Sequence, residues 1–113
     1  MELTVTERRG GHVCVVGVAG EVDLHSAPAL REGLESEIER RLHGVVVDLS
    51  AVSFLDSTGL GALVSSRTAA GERGVSLPVV CTSERILKLF TITGLDGVFQ
   101  IFGDLDSAVD AAG

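Results

Sequence analysis

The chain is predicted to form one α/β domain over residues 1–113, built on a mixed, largely parallel sheet of about five strands with four helices. Three observations carry that expectation. Segments of strand period and helix period alternate from one end to the other, with no Pro/Ser-rich linker, low-complexity tract or internal repeat between them. A β-branched run, Val45-Val46-Val47, follows a helical pattern after almost no loop, which implies a βαβ crossover, taken as right-handed. The apolar residues are mostly Val, Leu, Ala and Ile, with four Phe and no Tyr or Trp, so an aliphatic core is expected; 113 residues suffice to bury it without disulfides or metal.

Taken in order, Leu3 and Val5 alternate with polar residues from Glu2 to Glu7. The turn Arg9-Gly10-Gly11 and the apolar run His12 to Ala19 then complete an opening hairpin. Ser26 is a candidate cap for the first helix, and Pro28 falls in its first turn, where a missing N–H does little harm. Leu30, Leu34, Ile38 and Leu42 recur on one face. That helix is expected to stop near His43-Gly44, and Val45 to Leu49 to form a short strand covered on both faces. Beyond Ser50 to Asp56, the spacing of Leu60, Leu63, Val64 and Arg67 predicts a second helix over about residues 58–70, stopped by Gly71 and Gly74. Val75 to Cys81 reads as the fourth strand, in conflict with Pro78, which cannot donate to a ladder; a bulge or a later start would resolve it. Ser83 is the candidate cap of a third helix carrying Ile86, Leu87 and Phe90. Val98 to Phe102 reads as the last strand, and Asp104 can cap a terminal helix.

Composition excludes several classes of partner. With 16 acidic against 9 basic side chains the formal net charge is −7, which repels phosphate backbones and anionic lipid surfaces, so neither nucleic acid nor membrane is an expected partner. Apolar runs such as Val13 to Ala19 fall far short of the roughly 20 residues that span a bilayer. Met1-Glu2-Leu3-Thr4 has no signal-peptide pattern, and a cytoplasmic location is expected. Cys14 and Cys81 form no CxxC or Cys/His cluster and sit in apolar runs, which predicts two reduced, buried thiols and no metal site. No cofactor is expected.

The chemistry concentrates in Phe54-Leu55-Asp56-Ser57-Thr58-Gly59-Leu60-Gly61, a polar trio between an apolar run and a helix rich in small residues. The first amides of a helix lack intrahelical acceptors and its dipole end is partially positive, so a carboxylate, hydroxyl or phosphate is stabilised there. Either Asp56 or Ser57 could be the cap, and on local sequence alone capping is the plainer role for the trio. Gly59 and Gly61 each weaken a helix by about 1 kcal/mol relative to alanine, which suggests that a backbone or a partner approaches closely.

Asp56-Ser57-Thr58-Gly59-Leu60-Gly61 resembles the D-S-[ST]-G-x-G signature of the STAS domain family, and it is preceded by Val45-Val46-Val47-Asp48-Leu49-Ser50 and Val52-Ser53-Phe54-Leu55 as in that family. Gly20-Glu21-Val22-Asp23 through Pro28-Ala29-Leu30 is similar to the family's segment leading into helix one. Leu89-Phe90-Thr91-Ile92-Thr93-Gly94-Leu95 is similar to its element before the last strand. The resemblance runs from about Leu3 to Ala111 and is strongest to bacterial anti-sigma factor antagonists. It implies partner switching: the unmodified protein binds an anti-sigma factor that is also a serine kinase of the GHKL type and so frees the sigma factor, phosphorylation of Ser57 ends the binding, and a PP2C-type serine phosphatase reverses it. The implied contact surface comprises Asp23, Asp56, Ser57, Thr58, Gly59, Leu60 and Gly61, with Thr58 the lesser acceptor.

Other readings carry less weight. A serine enzyme would need Ser57 activated by His12, His25 or His43 and oriented by Asp23, Asp48 or Asp56, yet the residues around Ser57 lack the G-x-S-x-G elbow, His43 beside Gly44 reads as a helix C-terminal cation and His25 as a loop residue. No G-x-x-x-x-G-K-[ST] segment supports nucleotide binding. Within the family, the alternatives are a scaffold of a stress-signalling complex, a transporter tail, which the chain's length disfavours, or the small subunit of a lipid-transport ABC system.

Overall fold

The computed structural model describes residues 1–113. Its opening hairpin forms where the alternation predicts it: β1 (Glu2–Arg8) pairs antiparallel with β2 (Val13–Val22) across a 3-10 turn at Arg9–Gly11. The chain then alternates through α1 (Ala27–Arg40), β3 (Gly44–Leu55), α2 (Ser57–Glu72), β4 (Val79–Val80), α3 (Glu84–Ile92), a 3-10 turn at Leu95–Gly97, β5 (Ile101–Phe102) and α4 (Leu105–Ala112). The five strands form one sheet in the order β1-β2-β3-β4-β5, parallel from β2 onward. This is the expected α/β class with a mixed, largely parallel sheet and four helices. No helix is long and apolar enough to cross a membrane.

Successive strand residues point to opposite faces, so the valine-rich strands feed two cores at once. Cys14, Val16 and Val18 of β2 and Val45, Val47 and Leu49 of β3 point to the larger core, which α1, α2 and α3 close with Leu30, Leu34, Ile38, Leu60, Leu63, Ile86 and Phe90. Val13, Val15 and Val46 point the other way, where α4 alone covers them with Ala108, Val109 and Ala112. Phe90 meets Phe99 edge to face at 5.6 Å inside the larger core. Both cysteines are free and buried, and burial pushes each thiol's pKa up.

Five boundaries differ from the sequence expectation, each for a physical reason. The first helix stops at Arg40, three residues early, because Arg41 turns extended and sends its guanidinium inside. There it donates to Glu37 at 2.6 Å, to Glu7 at 3.1 Å and to the Gly11 carbonyl at 3.0 Å. Leu42, expected on the buried face, is left 68% exposed. On the second helix Val64 and Arg67 likewise face outward, while Ser66 and Ala70 take the buried positions. Strands β2 and β3 both run further than their apolar runs, to Val22 and Leu55, through irregularities at Gly17/Ala19 and Gly20/Glu21. Gly20 has φ 92, a conformation glycine adopts without a Cβ penalty, and this kink breaks the alternation that periodicity relies on. Beyond β3, pairing of the fourth strand starts late. The Ser76 N–H donates to the His43 carbonyl and the Pro78 carbonyl accepts from Val47, but the missing N–H of Pro78 interrupts the ladder, and the strand proper is Val79–Val80. The last strand likewise shrinks to Ile101–Phe102, since Leu95–Gly97 coils and Phe99 drops into the core.

Candidate functional site

Two long parallel strands ending side by side create the site. Val22 of β2 pairs with Leu55 of β3, and the Asp56 N–H still reaches the Val22 carbonyl at 3.3 Å. The next residues of the two strands, Asp23 and Asp56, therefore emerge at one end of the sheet, Asp23 opening the turn before α1 and Asp56 opening α2. The carboxyl ends of parallel strands are where open α/β sheets place their functional residues.

Of the two caps the sequence left open, the helix uses Asp56. Its backbone is extended, and its Oδ1 accepts the Gly59 N–H at 3.0 Å. Ser57 becomes the first helical residue, is exposed, and its hydroxyl is not needed for capping. Thr58 and Gly61 are exposed beside it, whereas Gly59 and Leu60 are buried. Gly59 answers the question its presence raised: a Cβ there would lie 2.6 Å from Leu55 Cδ1, 2.7 Å from Val22 Cγ1 and 3.2 Å from the Val22 carbonyl oxygen. Here the close approach is internal, the first turn of α2 lying on the end of β2. Gly61 meets nothing within 4 Å and leaves open surface.

Asp23 shapes the neighbouring turn. Its Oδ1 accepts the backbone N–H groups of Ser26 at 3.1 Å and His25 at 3.0 Å, and its carbonyl accepts the Ala27 N–H at 2.8 Å. The Ser26 amide above all, then the Ser26 hydroxyl and the His25 amide, hold the Asp23 carboxyl below its ordinary pKa. Ser26, expected to cap α1, does not: its Oγ accepts the Asp23 N–H at 2.9 Å, closing the turn instead. Asp23 and Asp56 thus stand at the ends of two paired strands as carboxylates already engaged by backbone amides, and the hydroxyl of Ser57, next to Asp56, is left exposed.

Two of the three histidines sit elsewhere. His12 and His43 pack edge to face at 5.2 Å at the opposite end of β2 and β3 from Ser57, and His25 is exposed in the Asp23 turn. Asp48 is engaged by Ser50, whose hydroxyl donates to it at 2.6 Å. No group of three or more potential metal ligands occurs.

Sequence reasoning missed a groove of about 220 Å³ between α1 and α2, adjoining the Ser57 turn. Leu24, Pro28 and Arg31 form one wall; Thr58, Gly61 and Ser65 line the other. Leu24 is 67% exposed, comparable with Leu42 and Ile92 at 68% and 72% elsewhere on the surface. The only signal in the sequence was an apolar residue, Leu24, in an otherwise polar turn.

Comparison with known proteins follows the same lines. The sequence profile of the STAS domain matches residues 4–108. The chain is 36% identical over 109 residues to the anti-sigma-B factor antagonist of Bacillus subtilis, covering 96% of this chain and 99% of that one. It is 34% identical over 107 residues to the anti-sigma-F factor antagonist RsfB of Mycobacterium tuberculosis, covering 95% and 87%. The crystal structure of an anti-sigma factor antagonist from Mycobacterium paratuberculosis superposes with a TM-score of 0.84 at 32% identity, covering 98% of this chain and 94% of that one. With a matched profile over nearly its whole length, a shared fold and the signature turn in place, the chain belongs to the STAS domain family.

Proposed function

We propose that this protein is an anti-sigma factor antagonist whose partner is an anti-sigma factor acting as a serine kinase, and that the hydroxyl of Ser57 is the switch. The observation that carries the reading is the division of labour at the start of α2: Asp56 takes the cap, and Ser57 is left exposed at the first helical position. A kinase needs an accessible hydroxyl, and a partner needs a surface beside it. Thr58 and Gly61 supply that surface, while buried Gly59 and Leu60 hold the turn against the sheet.

Phosphorylation would add about −1.5 to −2 charges at Ser57. The fold tolerates this, since the amides of Ser57 and Thr58 have no intrahelical acceptors and the dipole end is positive, which offsets repulsion from Asp23 and Asp56. Loss falls on the interface instead. A dianion buried against a partner without a counter-charge costs several kcal/mol, and every 1.4 kcal/mol is about tenfold in affinity. A PP2C-type phosphatase restores the hydroxyl and with it the binding. The test is to incubate the chain with the anti-sigma kinases of its own cell and ATP and to map the label by mass spectrometry. The reading expects phosphate on Ser57, complex formation by Ser57→Ala and weakened binding by Ser57→Asp. Label confined to Thr58, or a Ser57→Asp variant that binds like the unmodified chain, contradicts it.

A further inference from the structure

We infer that the groove between α1 and α2 docks an apolar side chain of the kinase partner, flanked by a partner carboxylate that pairs with Arg31; this rests on the reading of Ser57 as the switch. The groove is open, holds about 220 Å³ and adjoins the Ser57 turn, so a protein seated on that turn covers it too. Its chemistry is specific. Although the chain carries a net charge of −7, Arg31 is the one charged residue lining the groove, and the charge is positive. Every ion pair in the molecule lies elsewhere, on Arg9, Arg40 and Arg41, so Arg31 is exposed and uncommitted. Leu24, 67% exposed at the mouth, and Pro28 offer apolar contact beside it.

An exposed leucine beside an unpaired guanidinium is complementary to an apolar anchor next to an Asp or Glu. Opposite charges across an interface fix register and partner choice more than bulk affinity, and packed apolar anchors supply most of the binding energy. The overall acidity of the chain would favour a basic partner, but a partner basic at this spot would be repelled by Arg31. The same arrangement sharpens the switch. Thr58, the neighbour of Ser57, lines the groove, so a phosphate on Ser57 would stand close to the incoming carboxylate and repel it.

The experiment titrates the purified kinase that labels Ser57 against the unmodified chain and the variants Arg31→Glu, Arg31→Lys and Leu24→Ser. All three are surface changes, and their folding is checked by thermal unfolding. Arg31→Glu and Leu24→Ser are each expected to weaken binding about tenfold or more, Arg31→Lys by no more than about threefold. Reversing one carboxylate of the kinase to lysine should restore binding to Arg31→Glu. The inference is overturned if Arg31→Glu binds like the parent chain while Ser57 still switches, or if no single carboxylate reversal compensates. If the unmodified chain binds no kinase at all, the proposed function fails first, so the two failures are told apart.

Discussion

Two glycines in one turn of α2 give opposite predictions for the same substitution. A methyl at Gly59 would sit 2.6 Å and 2.7 Å from carbons of Leu55 and Val22 and 3.2 Å from the Val22 carbonyl oxygen, whereas one at Gly61 meets nothing within 4 Å. Overpacking costs about 1–3 kcal/mol, and the upper end applies at Gly59 because three atoms are met at once, one of them backbone. Alanine returns up to about 1 kcal/mol of helix propensity at either position. Gly59→Ala is therefore expected to destabilise by about 2 kcal/mol, and Gly61→Ala to stabilise by up to about 1 kcal/mol. An unfolding entropy of about 2.1 cal/mol/K per residue makes each kcal/mol worth roughly 4 °C in Tm for a chain of this size. Differential scanning calorimetry should thus read a loss of about 8 °C for Gly59→Ala and a gain of up to about 4 °C for Gly61→Ala. Shifts of the same sign would refute the packing of α2 on the end of β2 that positions Ser57.

Three further outcomes follow from other parts of the fold. Arg41→Met leaves buried Glu37 with only its longer 3.4 Å contact to Arg40 and should cost about 3 kcal/mol in urea unfolding, most of it recovered in the double variant Glu37→Leu/Arg41→Met; no recovery would mean that the pair itself stabilises the fold. The hydroxyl of Ser66 is buried with no hydrogen-bond partner, so Ser66→Ala is expected to stabilise by about 1 kcal/mol in the same assay, and destabilisation would show that the hydroxyl is satisfied. Asp23 has its carboxyl pKa depressed below the ordinary 3.8 by the Ser26 and His25 amides, so its charge stabilises the fold above that value, and the contribution is lost as pH falls through the folded value. The stability difference between the parent chain and Asp23→Asn should accordingly be present above about pH 4 and fade below it, and a difference independent of pH would exclude the charge as its source.

What the sequence made legible was whatever repeats with a period. Leu30, Leu34 and Ile38 face the core as their spacing predicts, and the alternating valines of β2 and β3 divide between the two sheet faces. Where tertiary contacts override the period, the reading slipped. Arg41 leaves the helix to reach Glu37 and Glu7, stranding Leu42; the irregularities near Gly17 and Gly20 hide the end of β2 beyond Ala19 and the second half of β3; and Pro78 delays β4. At the site, the polar trio was visible, but which residue caps the helix depended on the approach of Asp56 to the Gly59 amide. The groove stayed hidden because Arg31 and Ser65 belong to different helices that meet only after folding.

The switch itself is tested most directly by calorimetric titration of one anti-sigma kinase with the chain in two forms, unmodified and phosphorylated on Ser57 alone, with the Tm of each form recorded. A loss of at least tenfold in affinity with little change in Tm is the expected result, because the phosphate lies at a helix start that accommodates it and at a surface that the partner must cover. Equal affinity for the two forms, or a phosphorylated chain that binds poorly only because it has unfolded, would contradict it.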